Sequence, residues 1–187
     1  MKKSVDFGHV RVVIDYRTGR VRCQVPGRSP NPVTAPTASW GSAEHPAGLE
    51  RPRNPWTAPA AGALAMVFAI KSAGRKASAM HRMTAAIRAA ASACRRPATP
   101  EQARAAVLAV RRAAWLSPGR TACLEESAAV VLLLAARRLS VTWCHGVAPD
   151  PVRLHAWVQT EGGIIVAEPD STRSYTPVLM IGDRRDH

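Results

Sequence analysis

A chain of 187 residues that is 47% hydrophobic can bury one core, which predicts one catalytic-size domain with at most an appendage. Its net charge of +13 is uneven: residues 1–120 hold 20 Lys and Arg against 5 Asp and Glu, whereas residues 121–187 hold 6 against 8. The basic arginines are dispersed through alanine-rich sequence and aromatics reach only 5%, so base stacking is poorly provided for and nucleic acid is not an expected partner.

Residues 9–25 (HVRVVIDYRTGRVRCQV) alternate apolar and polar on both sides of Arg17-Thr18-Gly19, which predicts a hairpin appendage over residues 1–25. Residues 26–59 are crowded with Pro, Ser, Gly and Ala and keep no period, as in a linker or an irregular wrap. From residue 60 to 187 the pattern is that of a packed domain. Helix formers dominate 60–95 and 100–115. Thr99-Pro100-Glu101-Gln102 supplies an N-cap, a proline at the first helical position, and an acid and an amide in the first turn. Within that helix Ala103, Ala106, Val107, Val110, Ala114 and Trp115 fall on a packing face, and Arg104, Arg111 and Arg112 are expected to point elsewhere.

Residues 122–138 form a third helix, nearly continuously apolar from Ala128 to Leu134, and therefore central and covered on most sides. The period then switches to two. Residues 140–147 and 154–160 read as strands joined by 148–151, and 163–169 as a third strand returning across Gly162-Gly163. The fold class is α+β, with helices before a central helix and an antiparallel sheet after it.

None of the four cysteines (Cys23, Cys94, Cys123, Cys144) forms a CxxC pair, and residues 1–12 lack the apolar core of a secretory signal. The longest apolar stretch, 57–70, falls short of the roughly 20 residues of a membrane span. A cytoplasmic protein with reduced thiols is expected. Cys123 stands at the start of the central helix, where free amides and the helix dipole favour an anion, so a thiol there tends towards thiolate. A base is still needed, and His155, on a strand, is the candidate. A hairpin with loop Glu161-Gly162 places Glu168 opposite His155, and one with loop Gly162-Gly163 places Asp170 there. Either way both acids share the face of His155, and one of them would orient the imidazole. Cys144 and His145 are consecutive on a strand and face opposite ways. A zinc site from Cys123, Cys144, His145 and His155 lacks the short paired spacings such sites use. Trp157, on the His155 face, either shields the imidazole or simply packs.

Cys123-Leu124 with Ser127 opening an apolar helix, Thr142-Trp143 leading to Gly146-Val147, His155-Ala156-Trp157-Val158, and Val166-x-Glu168-Pro169 together resemble the leader peptidases of lasso peptide biosynthesis, the transglutaminase-like "B" proteins. The resemblance covers residues 117–181. It implies a papain or transglutaminase-like fold and a triad of Cys123, His155 and, by the Val-x-Glu-Pro match, Glu168. It also implies removal of a leader from a ribosomally made precursor peptide, alongside a small winged-helix leader-binding protein and an asparagine-synthetase-like cyclase. The chemistry calls for no metal and no organic cofactor. The same triad could pass its acyl group to an amine, as an acyltransferase, or stand as a non-catalytic leader-binding module. Glu126 departs from the family, where a basic residue is common, and the pair Glu125-Glu126 is read as helix capping or as an altered cleft. Residues 10–21 resemble the first hairpin of the winged-helix leader binders but are too short for that domain, so an edge hairpin packed on the catalytic core is expected.

Overall fold

A computed structural model describes residues 1–25, 56–117, 119, 121–149 and 151–182. The chain opens with a three-stranded antiparallel sheet in the order β1 (Lys2–Asp6), β2 (Arg11–Asp15), β3 (Arg20–Gln24). The predicted hairpin is β2–β3, with Asp15 opposite Arg20. Gly19 sits at φ 72 in its turn, a conformation open to glycine. The third strand, β1, is the mostly exposed KKSVD, which carries no alternation to read. Val12, Ile14 and Tyr16 alternate inward and are buried in the same core as the helices, so the sheet packs on the rest of the chain.

Residues 26–55 lie outside the described residues. The expected linker ends earlier than 59: α1 (Thr57–Ser72) takes its last three residues and buries Ala60, Leu64 and Val67 at helical spacing. The helical zone 60–95 is two helices. Ala73 is extended and Gly74 stands at φ 78, and a short 3-10 turn then leads into α2 (Ala79–Ser92). Arg82 closes that corner, donating from Nε to the Ile70 carbonyl at 2.9 Å and from Nη2 to the Lys71 carbonyl at 2.9 Å, which satisfies the end of α1.

Helix α3 runs Pro100–Trp115, with Thr99 and Gln102 bonding reciprocally as a capping box. Two of its residues correct the expected face: Arg111 is buried, and Trp115 is 69% exposed. The helical wheel gives the reason: position 111, i+4 from Val107, lies on the edge of the buried stripe, whereas 115 lies further round the helix, between the exposed Arg104 and Arg112. Helix α4 (Cys123–Ala135) is shorter than predicted and is central, touching α1, α2, α3 and the sheet.

A two-residue parallel pair joins β4 (Arg96–Pro97) to β5 (Leu139–Ser140). The second sheet has the order β7 (Val152–Gln159), β6 (Thr142–Pro149), β8 (Thr176–Ile181). The predicted strand 163–169 is not formed. The chain turns back through Gly162 and Gly163, makes a single bridge between Gln159 and Ile165, and leaves after Val166, because Ala167 adopts φ 53 and Pro169 has no N–H to give. The third strand of the sheet is instead β8, which pairs with β6 on the side away from β7.

Candidate active site

Cys123 is the first residue of α4 and 6% exposed. The amides of a first helical turn have no intrahelical acceptor, so Cys123 sits in the positive local potential of the helix start. Trp143 fixes this helix to the sheet by donating from Nε1 to the Ser127 hydroxyl at 2.9 Å.

His155 projects from β7 opposite Gly146 of β6. Its Nε2–H donates to Glu168 Oε2 at 3.0 Å, and the Cys123 thiol, which lines the same cleft, is the other group that acts on the imidazole. Burial draws the pKa of His155 down, but the hydrogen bonds and charges of Cys123 and Glu168 outweigh it and hold it at about 9. Trp157 stacks on the ring at 5.9 Å and 14°, Tyr175 lies 5.3 Å from it, and the two aromatics touch each other at 6.4 Å, forming one apolar wall beside the imidazole. Trp157 therefore both packs and shields the imidazole.

Glu168 is the carboxylate at His155, although not by the route the parity argument gave. With Gln159 facing Ile165 and the Val166 N–H bonded to the Val158 carbonyl, the loop is three residues, Glu161-Gly162-Gly163. Neither two-residue loop is present, and an extended strand in this register would set Pro169 opposite His155. The left-handed Ala167 instead swings Glu168 onto the imidazole. Asp170 begins a 3-10 turn and is exposed, away from the cleft.

Sequence reasoning missed Arg111. Its guanidinium donates from Nη2 to Glu168 Oε1 at 2.6 Å and from Nη1 to the Ala167 carbonyl, and its Nε stands 4.0 Å from Glu126 Oε2. An arginine on the edge of an apolar stripe was the available signal. The acid pair is likewise resolved. Glu125 accepts from the Ala122 N–H at 3.1 Å, a capping role, and pairs with Lys71; Glu126 accepts from the Thr121 hydroxyl at 2.8 Å and faces Arg111. Both acids are buried rather than lining an open mouth.

Cys144 and His145 are both buried on opposite faces of β6. His145 meets the N-terminal sheet, where its Nδ1 and the Tyr16 hydroxyl are 2.7 Å apart. Among the described residues no group of three His, Cys, Asp or Glu side chains is placed to hold a metal.

Cys123 at its helix start, His155 on its strand and the Glu168 carboxylate thus meet in one cleft, lined also by Val107, Val130, Leu154 and Tyr175. The model of the transglutaminase-like superfamily matches residues 63–180. The chain belongs to the transglutaminase-like superfamily. Neither a curated protein nor a solved structure matches it. The superfamily generally includes cysteine peptidases. Its α+β class is the one observed here, and no single helix among the described residues is long and apolar enough to cross a membrane.

Two consequences of this superfamily site can be measured. A Cβ on Gly146 would lie 2.7 Å from Trp157 Cη2 and 2.8 Å from the Thr176 carbonyl, so Gly146→Ala must displace the ring that shields His155. The expected cost is about 1–3 kcal/mol, or roughly 2–12 °C in melting temperature. The second is pH dependence. His155, raised to about 9, contributes stability that is fully present below the unfolded value of roughly 6.5 and is lost as pH rises through 9. His145, lowered to about 4 by burial and then by the nearby His155, does the reverse, contributing stability above about 6.5 that is lost as pH falls to 4. Melting temperature should peak near pH 6.5, and His155→Gln should flatten the alkaline limb strongly and the acid limb less, since burial rather than His155 is the larger cause of the His145 shift.

Proposed function

We propose that this protein is a cysteine peptidase that removes the leader from a ribosomally made lasso precursor peptide, with Cys123 as nucleophile, His155 as acid and base, and Glu168 as its orienter. The observation that carries the reading is the imidazole of His155, hydrogen-bonded to Glu168 and facing the same cleft as Cys123, whose thiol helps raise its pKa. The Cys123 thiolate adds to the carbonyl at the leader–core junction, and the Cys123 amide supplies one donor to the oxyanion. His155 gives its proton to the leaving amine, forming a thioester on Sγ. His155 then takes a proton from water, hydroxide adds to the thioester, and the thiolate leaves. The segment 117–181, with its HAWV and Val-x-Glu-Pro strings, supports the lasso assignment. With it come a precursor substrate, a winged-helix leader binder and an asparagine-synthetase-like cyclase as cytoplasmic partners.

Mass spectrometry of a lasso precursor incubated with the protein and its partners tests this. Free leader and core are the expected products. An isopeptide or amide adduct would make the protein an acyltransferase instead, and undiminished processing by Cys123→Ala would make it a non-catalytic leader binder.

A further inference from the structure

We propose that Arg111 is the positioning residue of this site, locking the first turn of the Cys123 helix to the loop that carries Glu168 and so setting how the thiol meets the imidazole. The proposal rests on the reading of Cys123, His155 and Glu168 as an acyl-transfer triad.

Arg111 is buried on α3 beside the apolar positions Val107, Val110 and Ala114, where a charge taken out of water is costly unless its donors are used. Its donors are turned to two other parts of the chain. Nη2 reaches Glu168 Oε1, Nη1 reaches the Ala167 carbonyl, and Nε faces Glu126. Glu126 lies one turn after Cys123, and its other oxygen is held by Thr121, two residues before the nucleophile. The contacts close a circuit: Thr121, Glu126, Arg111, Glu168, His155 and back to Cys123. A planar fork of fixed donors suits this, because it serves several acceptors in one geometry where an ammonium cannot. Ala167 adds a second reason. Its φ of 53 is unfavourable for a residue with a Cβ, and the bond to its carbonyl helps hold it there. Without Arg111 the loop is free to leave the left-handed conformation, and Glu168 then withdraws from His155. Glu168 divides its oxygens, Oε2 to the imidazole and Oε1 to the guanidinium, so Arg111 acts through the carboxylate and touches no reacting atom.

The readout is the rate at which iodoacetamide alkylates Cys123, followed by peptide mapping at pH 6.5 and pH 9.5, with melting temperature beside it. The groups facing the clamp that titrate or carry charge are Cys123, Glu126, His155 and Glu168, with Arg153 and Tyr175 also lining the cleft and His145 within electrostatic reach of His155. Arg111→Met should lower the rate at pH 6.5 by about tenfold and change it less than about twofold at pH 9.5, since losing the carboxylate's hold weakens the ion pair only where the thiolate depends on it. Arg111→Lys, which keeps the charge but not the fork, should fall by about threefold at pH 6.5. Placed on Glu168→Gln, Arg111→Met should add less than about twofold, because the residue it works through is already disabled.

A folded Arg111→Met protein with the wild-type ratio of rates at the two pH values overturns the proposal. So does a full additional tenfold loss on Glu168→Gln. If Arg111→Met does not fold, Arg111→Lys decides by the same ratio. His155→Ala separates the two layers. If it keeps the wild-type ratio, the triad reading fails and the proposal with it; if it loses that ratio while Arg111→Met does not, only the positioning role is lost.

Discussion

Cys123→Ala is expected to lower precursor cleavage by roughly 10^4-fold or more while leaving the melting temperature within a few degrees of wild type. A factor of 10^4 is about 5.5 kcal/mol of barrier, more than a residual oxyanion donor and substrate binding recover once covalent attack is lost. The small stability effect follows from the site's construction. The first turn of α4 is held by the Ala122 N–H on Glu125, by Thr121 on Glu126 and by Trp143 on Ser127, none of which uses the thiol. Time courses of precursor loss by mass spectrometry, set beside thermal melts, check both halves. An unfolded variant would instead assign Cys123 a packing role.

Glu168→Ala should damage both stability and chemistry. The side chains of Arg111 and Glu168 are 10% and 8% exposed, so removing the carboxylate leaves a guanidinium largely cut off from water, with only the more distant Glu126 as a counter-charge. Breaking such a buried pair costs about 3–5 kcal/mol, on the order of 10 °C in melting temperature for a chain of this size. The same substitution strips His155 of one of its two supports. Burial then weighs more heavily, and the pKa of the imidazole, about 9 in the intact site, should drop by one unit or more. NMR titration of the His155 ring in a folded Glu168→Gln protein isolates that second effect, since the amide keeps the shape and loses the charge.

Much of this site was legible because its parts obey local rules. Thr99 through Gln102 announce α3 to the residue, since a cap, a proline and a reciprocal amide leave little choice of start. The apolar run after Cys123 announces a central helix, and the alternation around Gly146 and His155 announces the β6–β7 pair. What local pattern cannot carry is the destination of a polar group. Arg111 looks like a surface arginine until its phase on α3 is compared with Val107 and Val110, and its partners lie 15 to 57 positions away. The carboxylate shows the limit from the other side. Glu168 was selected by family resemblance and by a two-residue turn that does not form, and it reaches His155 only because Ala167 turns left-handed, a conformation no propensity predicts for alanine. The strands β1 and β8 were missed for opposite reasons. The first is polar and exposed on most residues, and the second pairs with β6 across a long sequence gap.

The central claim is that Cys123 is a reactive nucleophile and not an inert buried thiol, and the protein carries its own reference for it. Cys23 is exposed on β3, whereas Cys123 is only 6% exposed, so accessibility alone would have Cys23 modified first. Limited alkylation of the intact protein with iodoacetamide at pH 6.5, read by peptide mapping, compares the two in one molecule. Pairing with His155 predicts that Cys123 is modified about tenfold or more faster than Cys23, and that His155→Ala removes the difference. Modification of Cys23 with Cys123 left intact would contradict the account.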